Sequence, residues 1–104
     1  MPPPPQAFRL VHRAFEFVEF DPAKSDEVFE ERGFDLGYVT RLFPGYVLER
    51  QDTRPYPEPR FQVIGELAGE LYFVVYTPRG RGCRLITAWV AEPHFWTLWH
   101  DLTR

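Results

Sequence analysis

Residues 60–90 read RFQVIGELAGELYFVVYTPRGRGCRLITAWV. Within this stretch Arg60–Leu67, Leu71–Thr77 and Cys83–Val90 are rich in β-branched and aromatic residues, which pack well on a pleated surface. Between them stand Ala68-Gly69 and Pro78-Arg79-Gly80-Arg81-Gly82, connections of the hairpin kind. The stretch predicts an antiparallel meander. Tyr46–Gln51 reads as a strand before it, and the three prolines of residues 52–59 predict an exposed loop between the two. Leu85–Val90 is nearly all apolar, which predicts a central strand covered on both faces.

Upstream, Phe8 to Phe20 is strand-like, although Val18 breaks the alternation of Phe15-Glu16-Phe17. Asp21-Pro22 is a helix start, because Asp accepts from the first free amides and Pro fits the first helical position. The helix runs to about Arg32, with Ala23, Val28 and Phe29 as its expected inner side, and Gly33 is a natural left-handed stop. Asp35 caps a second helix to about Phe43, with Phe34 placed to pack on Val39 as a hydrophobic staple. Residues 1–7 hold four consecutive prolines and read as a disordered tail, so residues 8–104 form the single expected domain.

Downstream, Glu92-Pro93 begins a short C-terminal helix. Phe95, Leu98, Trp99 and Leu102 fall on one helical stripe, with Trp96 and His100 beside it. Such a stripe must bury against either the domain's own sheet or a partner chain. The expected architecture is α+β: two N-terminal helices packed on a four- to five-stranded antiparallel sheet, then the short C-terminal helix.

A chain of 104 residues suffices for one domain. Ten Phe, five Tyr and three Trp supply its core. No apolar run approaches the ~18 residues needed to span a bilayer. The N-terminus lacks the basic and apolar regions of a secretory signal, and the lone Cys83 forbids an intrachain disulfide; both point to the cytoplasm. Cys83 reads as a small buried strand residue. The net charge of −3 argues against a strongly nucleic-acid-binding surface. Its distribution is uneven: residues 1–35 hold eight acidic and four basic side chains, whereas residues 76–104 hold four Arg against two acids. A local basic face is compatible with that asymmetry.

Several chemistries have no motif here. His12, His94 and His100 are too scattered for a zinc site, no glycine-rich phosphate loop precedes a helix, and no nucleophile elbow appears. No metal and no cofactor are expected. The Arg79-Gly80-Arg81-Gly82 run is either a phosphate cradle, since Arg offers a planar fork, or a hairpin tip that needs Gly for positive φ.

Six short segments occur in a telling order. Glu19-Phe20-Asp21-Pro22-Ala23-Lys24 leads to Gly33-Phe34, then Tyr56-Pro57-Glu58-Pro59-Arg60-Phe61 and Ile64-Gly65. Val74-Val75-Tyr76-Thr77-Pro78-Arg79-Gly80 precedes Arg84-Leu85-Ile86-Thr87-Ala88. Over roughly residues 15–91 this series resembles the BrnT family. The resemblance implies a ribonuclease toxin with a RelE-like fold that cleaves RNA without metal and inhibits translation and growth. It also implies a DNA-binding antitoxin as partner, in a toxin–antitoxin heterotetramer.

Carried over residue by residue, Lys24, Glu58, Arg60, Arg79 and Arg84 match charged family positions and are the expected catalytic residues. Cleavage through the 2′-hydroxyl needs a base, an acid and cations around the phosphorus. Arg60, Arg79 and Arg84 are the expected phosphate clamp, and either Glu58 or Lys24 the proton acceptor. Arg81 and Tyr76 are expected to contact RNA, and Phe95, Trp96 and Trp99 the antitoxin or another partner. Two positions depart from the family: Pro78 stands where Glu is usual, and Trp89 replaces the Arg after Ser-Ala. These departures, with the aromatic C-terminal stripe, raise the alternative of a toxin fold that has lost catalysis and acts as a protein-binding module.

Overall fold

The computed structural model describes residues 7–104. Residues 1–6, which carry most of the expected tail, lie outside the described residues. The chain runs β1 (Arg9–Arg13), β2 (Val18–Phe20), α1 (Pro22–Arg32), α2 (Leu36–Val39) with a 3-10 turn (Thr40–Leu42), β3 (Gly45–Asp52), β4 (Arg60–Leu67), β5 (Glu70–Arg79), β6 (Gly82–Val90) and α3 (Phe95–Thr103).

The sheet has six strands in the order β1-β3-β4-β5-β6-β2. This corrects the expected four- to five-stranded antiparallel sheet, because β2 pairs with β6 in parallel. The single strand expected from Phe8 to Phe20 is in fact two, at opposite edges of the sheet. β1 pairs with β3 through Arg9↔Glu49 to Arg13↔Gly45, and β2 pairs with β6 through Val18↔Cys83 to Phe20↔Leu85. Between them the chain crosses the sheet, with the Phe15 ring against Phe43 and Tyr76 at 5.0 and 5.3 Å. Phe17 lies over Gly82, where a Cβ would come within 2.5 Å of its ring. The broken alternation at Val18 marks this crossing.

Local chemistry explains the helices. Asp21 accepts from the Ala23 amide at 3.0 Å and Pro22 follows it, while Gly33 closes α1 at φ 82°. Ser25 and Val28 form the inner side. Ala23 and Phe29 do not: Ala23 is exposed, and Phe29 is 57% exposed. Asp35 caps α2 by accepting from Tyr38 N–H, and Ser25 Oγ accepts from Leu36 N–H, tying the two helices together. The second helix tightens to 3-10 geometry and ends at Leu42, one residue before the expected Phe43, which is extended. Leu42 packs onto Gly65, where a Cβ would clash at 2.4 Å; this is the physical need behind the Ile64-Gly65 pair. Phe34 packs edge-on against Tyr72.

Both hairpins have two-residue turns. Ala68 and Gly69 both take positive φ, as a I′ turn requires, and Gly80 takes φ 55° in the turn between Arg79 and Gly82.

Each face of the sheet has its own apolar cluster. On the first, Val28, Leu36, Val39 and Leu42 from the helices cover Val47, Val63, Val74, Tyr76, Cys83 and Leu85. On the second, Leu48, Ile64, Leu71, Phe73 and Val75 lie under Phe95, Trp96, Leu98, Trp99 and Leu102 of α3. The C-terminal stripe therefore buries against the domain's own sheet, with Trp89 stacked on Phe73 at 4.6 Å. Strand β6 is covered on both faces as expected, but lies next to the edge rather than centrally. Among the described residues no helix is long and apolar enough to cross a membrane.

Candidate functional site

Alternation along the strands and register between them determine which charges meet. Residues paired across a sheet share a face, and neighbours along a strand alternate. Tyr76, Cys83 and Leu85 point into the helix-covered core, so Thr77 and Arg84 point to the opposite face. Glu19 pairs with Arg84, Arg84 with Thr77, and Asp52 with Arg60. Phe61↔Tyr76 sets Arg60 beside Thr77. One row across β3, β4, β5, β6 and β2 thus carries Asp52, Arg60, Thr77, Arg84 and Glu19, with Arg79 two residues beyond Thr77. This row lies on the face that α3 covers, at the polar end of its strands.

The side chains converge there. Arg79 Nη1 donates to Glu58 Oε2 at 2.9 Å, and Thr77 Oγ1 donates to the same oxygen at 3.4 Å. Glu19 Oε1 lies 3.9 Å from Arg79 Nε and 3.7 Å from Arg84 Nη1, bridging the two guanidinium groups. Arg60 stacks over the Tyr56 ring at 4.0 Å, and Arg54 approaches the same ring at 5.2 Å. Asp52 anchors Arg54 through its Nε and Nη2 at 2.6–3.2 Å. Arg50 donates to Gln62 at 2.6 Å and covers the Phe8 ring. Five guanidinium groups face three carboxylates here, a locally positive surface on a chain of net charge −3.

The hydrogen bond from Arg79 holds the Glu58 carboxyl below its ordinary range, with Thr77 and the charge of Arg60 adding to it. The Arg54 hydrogen bonds hold Asp52 at about 2, against the opposing effect of burial. Burial pushes the Cys83 thiol up to about 12, with the Glu19 charge adding to it, so this thiol is no nucleophile.

The structure brings Glu58, Arg79 and Arg84 together around Glu19, places Arg60 on the same face over the Tyr56 ring, and sets the remaining predicted residues apart. Lys24 pairs with Glu27 on its own helix at 3.5 Å, and α1 covers the other face of the sheet. Arg81 is in the hairpin turn, 83% exposed and paired with Glu16 at 3.1 Å. Tyr76 is 3% exposed within the helix-side core, its ring stacked on Phe61. Phe95, Trp96 and Trp99 are half-buried in α3. Pro78 is exposed, and Trp89 belongs to the apolar cluster under α3. Glu19 escaped notice as a site residue although it stands in the Glu19-Phe20-Asp21-Pro22 segment. The parallel pairing of β2 with β6 gives it its role, and no local pattern announces that pairing.

A second polar group occupies the other face. Glu49, 3% exposed, accepts from Arg13 Nε at 2.9 Å, from Arg13 Nη2 and from the Tyr76 hydroxyl. Burial opposes its ionisation, but the hydrogen bonds from Arg13 and Tyr76 outweigh that and lower its pKa. Burial first, and the bond to Glu49 second, raise the Tyr76 hydroxyl far above its usual range, so it stays protonated. Sequence reasoning missed this triad, since its members are distant in the chain.

A family model described as the ribonuclease toxin BrnT of type II toxin–antitoxin systems matches residues 20–94. No curated protein and no solved structure matches the chain.

Proposed function

The chain belongs to the BrnT family of ribonuclease toxins from type II toxin–antitoxin systems, and on that premise we propose that the Glu58–Arg79–Arg84–Glu19 group cleaves RNA without a metal ion. Membership implies an antitoxin partner. The observation that carries the reading is the convergence of Arg79 and Arg84 on one carboxylate oxygen of Glu19, 3.9 and 3.7 Å away. Two cations that share one anionic oxygen in the resting protein can share a phosphate oxygen in the complex.

In this reading a scissile phosphate displaces Glu19 and Glu58 from the guanidinium groups. Arg binds phosphate through a planar fork and stabilises the charge that builds on the pentacoordinate phosphorus. Losing the Arg79 hydrogen bond returns Glu58 toward an ordinary carboxylate pKa and makes it a better proton acceptor just as substrate arrives. Glu58 then takes the 2′-hydroxyl proton, the O2′–P bond forms, and the P–O5′ bond breaks with water protonating the leaving oxygen. The products are a 2′,3′-cyclic phosphate and a 5′-hydroxyl. Lys24, on the helix side, is the less favoured acceptor. A buried Tyr76 offers no ring face to a base, and its place in the proposal is structural. The toxin acts in the cytoplasm, where cleavage stops translation and growth until a DNA-binding antitoxin binds, in a complex of four chains that uses the open sides of Phe95, Trp96 and Trp99.

Incubating the purified chain with RNA in the presence of a chelator tests this. Fragments that end in a cyclic phosphate, together with growth arrest on induction, are expected. Intact RNA and normal growth would refute cleavage and leave the toxin fold as a binding module, the outcome that Pro78, standing where the family has Glu, would then explain.

A further inference from the structure

Unlike Arg79 and Arg84, Arg60 forms no ion pair with Glu19 or Glu58. Its guanidinium lies 4.0 Å from the centroid of the Tyr56 ring, and Arg54 lies 5.2 Å from the same ring. This arrangement is held in place rather than incidental. Asp52, itself buried, grips Arg54 through three hydrogen bonds from its side chain and a fourth from its backbone amide. The backbone of Arg60 is set by its strand register opposite Asp52. Tyr56 turns back toward Arg54, donating its backbone N–H to the Arg54 carbonyl at 2.9 Å. The ring is half-buried, so part of it remains open to solvent. Glu58, the proposed base, is two residues along the same loop.

Flat groups of this kind take up nucleobases. Unpaired bases stack on aromatic rings and on Arg guanidinium planes, whereas bases inside a duplex have their faces covered by their neighbours. Along a single strand, a base lies beside its own phosphate, and Arg60, which covers the Tyr56 ring, also acts by its charge on the carboxylate that Arg79 holds. We infer that Tyr56, flanked by Arg60 and Arg54, is the stacking platform for one unpaired base adjacent to the phosphate bound by Arg79 and Arg84. The substrate is accordingly single-stranded RNA. This rests on the ribonuclease reading and adds a base subsite to its phosphate subsite.

The test uses the full chain and a short fluorescein-labelled RNA that carries 2′-O-methyl groups throughout, so that it binds but offers no 2′-hydroxyl for attack. Tyr56→Ala and Tyr56→Leu should each weaken binding by roughly 5- to 150-fold, the range that loss of one base stack produces. Tyr56→Phe keeps the ring and should bind like the parent, which separates loss of stacking from loss of fold. The slope of log affinity against log salt should stay unchanged in the Tyr56 variants, whereas Arg79→Ala should make it shallower by about 0.7, one phosphate contact's worth on a single strand. The same sequence annealed into a duplex should bind more weakly than the single strand.

Parental affinity in Tyr56→Ala and Tyr56→Leu overturns the platform, as does a duplex bound as tightly as the single strand or a parent that binds no RNA. Cleavage of unmodified RNA is scored separately. A chain that binds as expected but never cleaves removes the ribonuclease reading and leaves the base subsite standing. A chain that cleaves with Tyr56→Ala unaffected does the reverse.

Discussion

On the face covered by α1 and α2, Arg13, Tyr76 and Glu49 close a carboxylate off from water, whereas on the face that carries α3, Arg79, Arg84, Glu19 and Glu58 leave theirs in contact with it. The groups are alike in kind, and their surroundings differ. Glu49 is 3% exposed, while the side chains of Glu19 and Glu58 are 45% and 51% exposed. A buried carboxylate that loses a partner is stranded in a medium that cannot solvate it, so such a pair resists exchange. An exposed pair is worth little because water takes over its contacts, and an incoming anion can replace either carboxylate. Access to water thus separates an arginine group that holds the fold from one available to bind.

The strongest way to break this distinction is to remove the open arginines. Arg79→Ala and Arg84→Ala should each lower RNA cleavage by about 10²–10³-fold, the loss that follows removal of one preorganised charge-stabilising group. Circular dichroism and the urea midpoint should stay near the parent's. A large fall in the midpoint would show that the open cluster also holds the fold.

The converse change falls on the buried side. Glu49→Ala strands Arg13 and the Tyr76 hydroxyl, and should lower unfolding free energy by about 3 kcal/mol, the low end for a broken buried pair because the Arg13 side chain is 35% exposed. RNA binding by the folded fraction should be unchanged. A stability loss no larger than that of Glu58→Ala would erase the contrast.

Much of this was legible in the sequence, and what was missed shares one cause. Asp21-Pro22 and Gly33 bound α1 through contacts within a few residues, and Gly69 readily supplies one of the two positive φ angles of the tight hairpin turn. The one-strand reading of Phe8–Phe20 failed because the two halves pair with β3 and β6, and apolar residues suit either edge. Phe29 was expected inside and is exposed because α1 buries only a narrow strip, Ser25 and Val28. Family motifs singled out Glu58, Arg60, Arg79 and Arg84, and strand parity sets Arg60, Arg79 and Arg84 on one face. Glu19 and Glu49 owe their roles to strand neighbours far away in the chain.

Asp52 sharpens the comparison, since its carboxylate is buried while the Arg54 that binds it is 68% exposed. Its pKa is depressed from 3.8 to about 2 in the folded protein. A carboxylate with a depressed folded pKa contributes stability that is complete above the unfolded value and is lost as pH falls through the folded one. The parent should therefore melt a few degrees above Asp52→Asn at neutral pH, with the gap closing between about pH 4 and 2. A gap that persists at pH 2 would assign it to shape rather than charge.

The smallest effect is expected two residues from one of the largest. Arg79 and Arg81 look equivalent in Arg79-Gly80-Arg81-Gly82, but the hairpin separates them. Arg79 is the last residue of β5, on the same face as Thr77, while Arg81 occupies the turn. Its carbonyl accepts from Glu16 N–H at 3.0 Å, and its guanidinium pairs with Glu16 in full solvent. Nothing there draws it toward Arg84 or Glu58. Arg81→Ala should change cleavage by no more than about threefold, within the reach of a single exposed pair, and should leave the melting temperature in place. A loss as large as that of Arg79→Ala would extend the proposed phosphate-binding surface around the hairpin tip, and exposure would no longer separate the arginines that act from those that only pair.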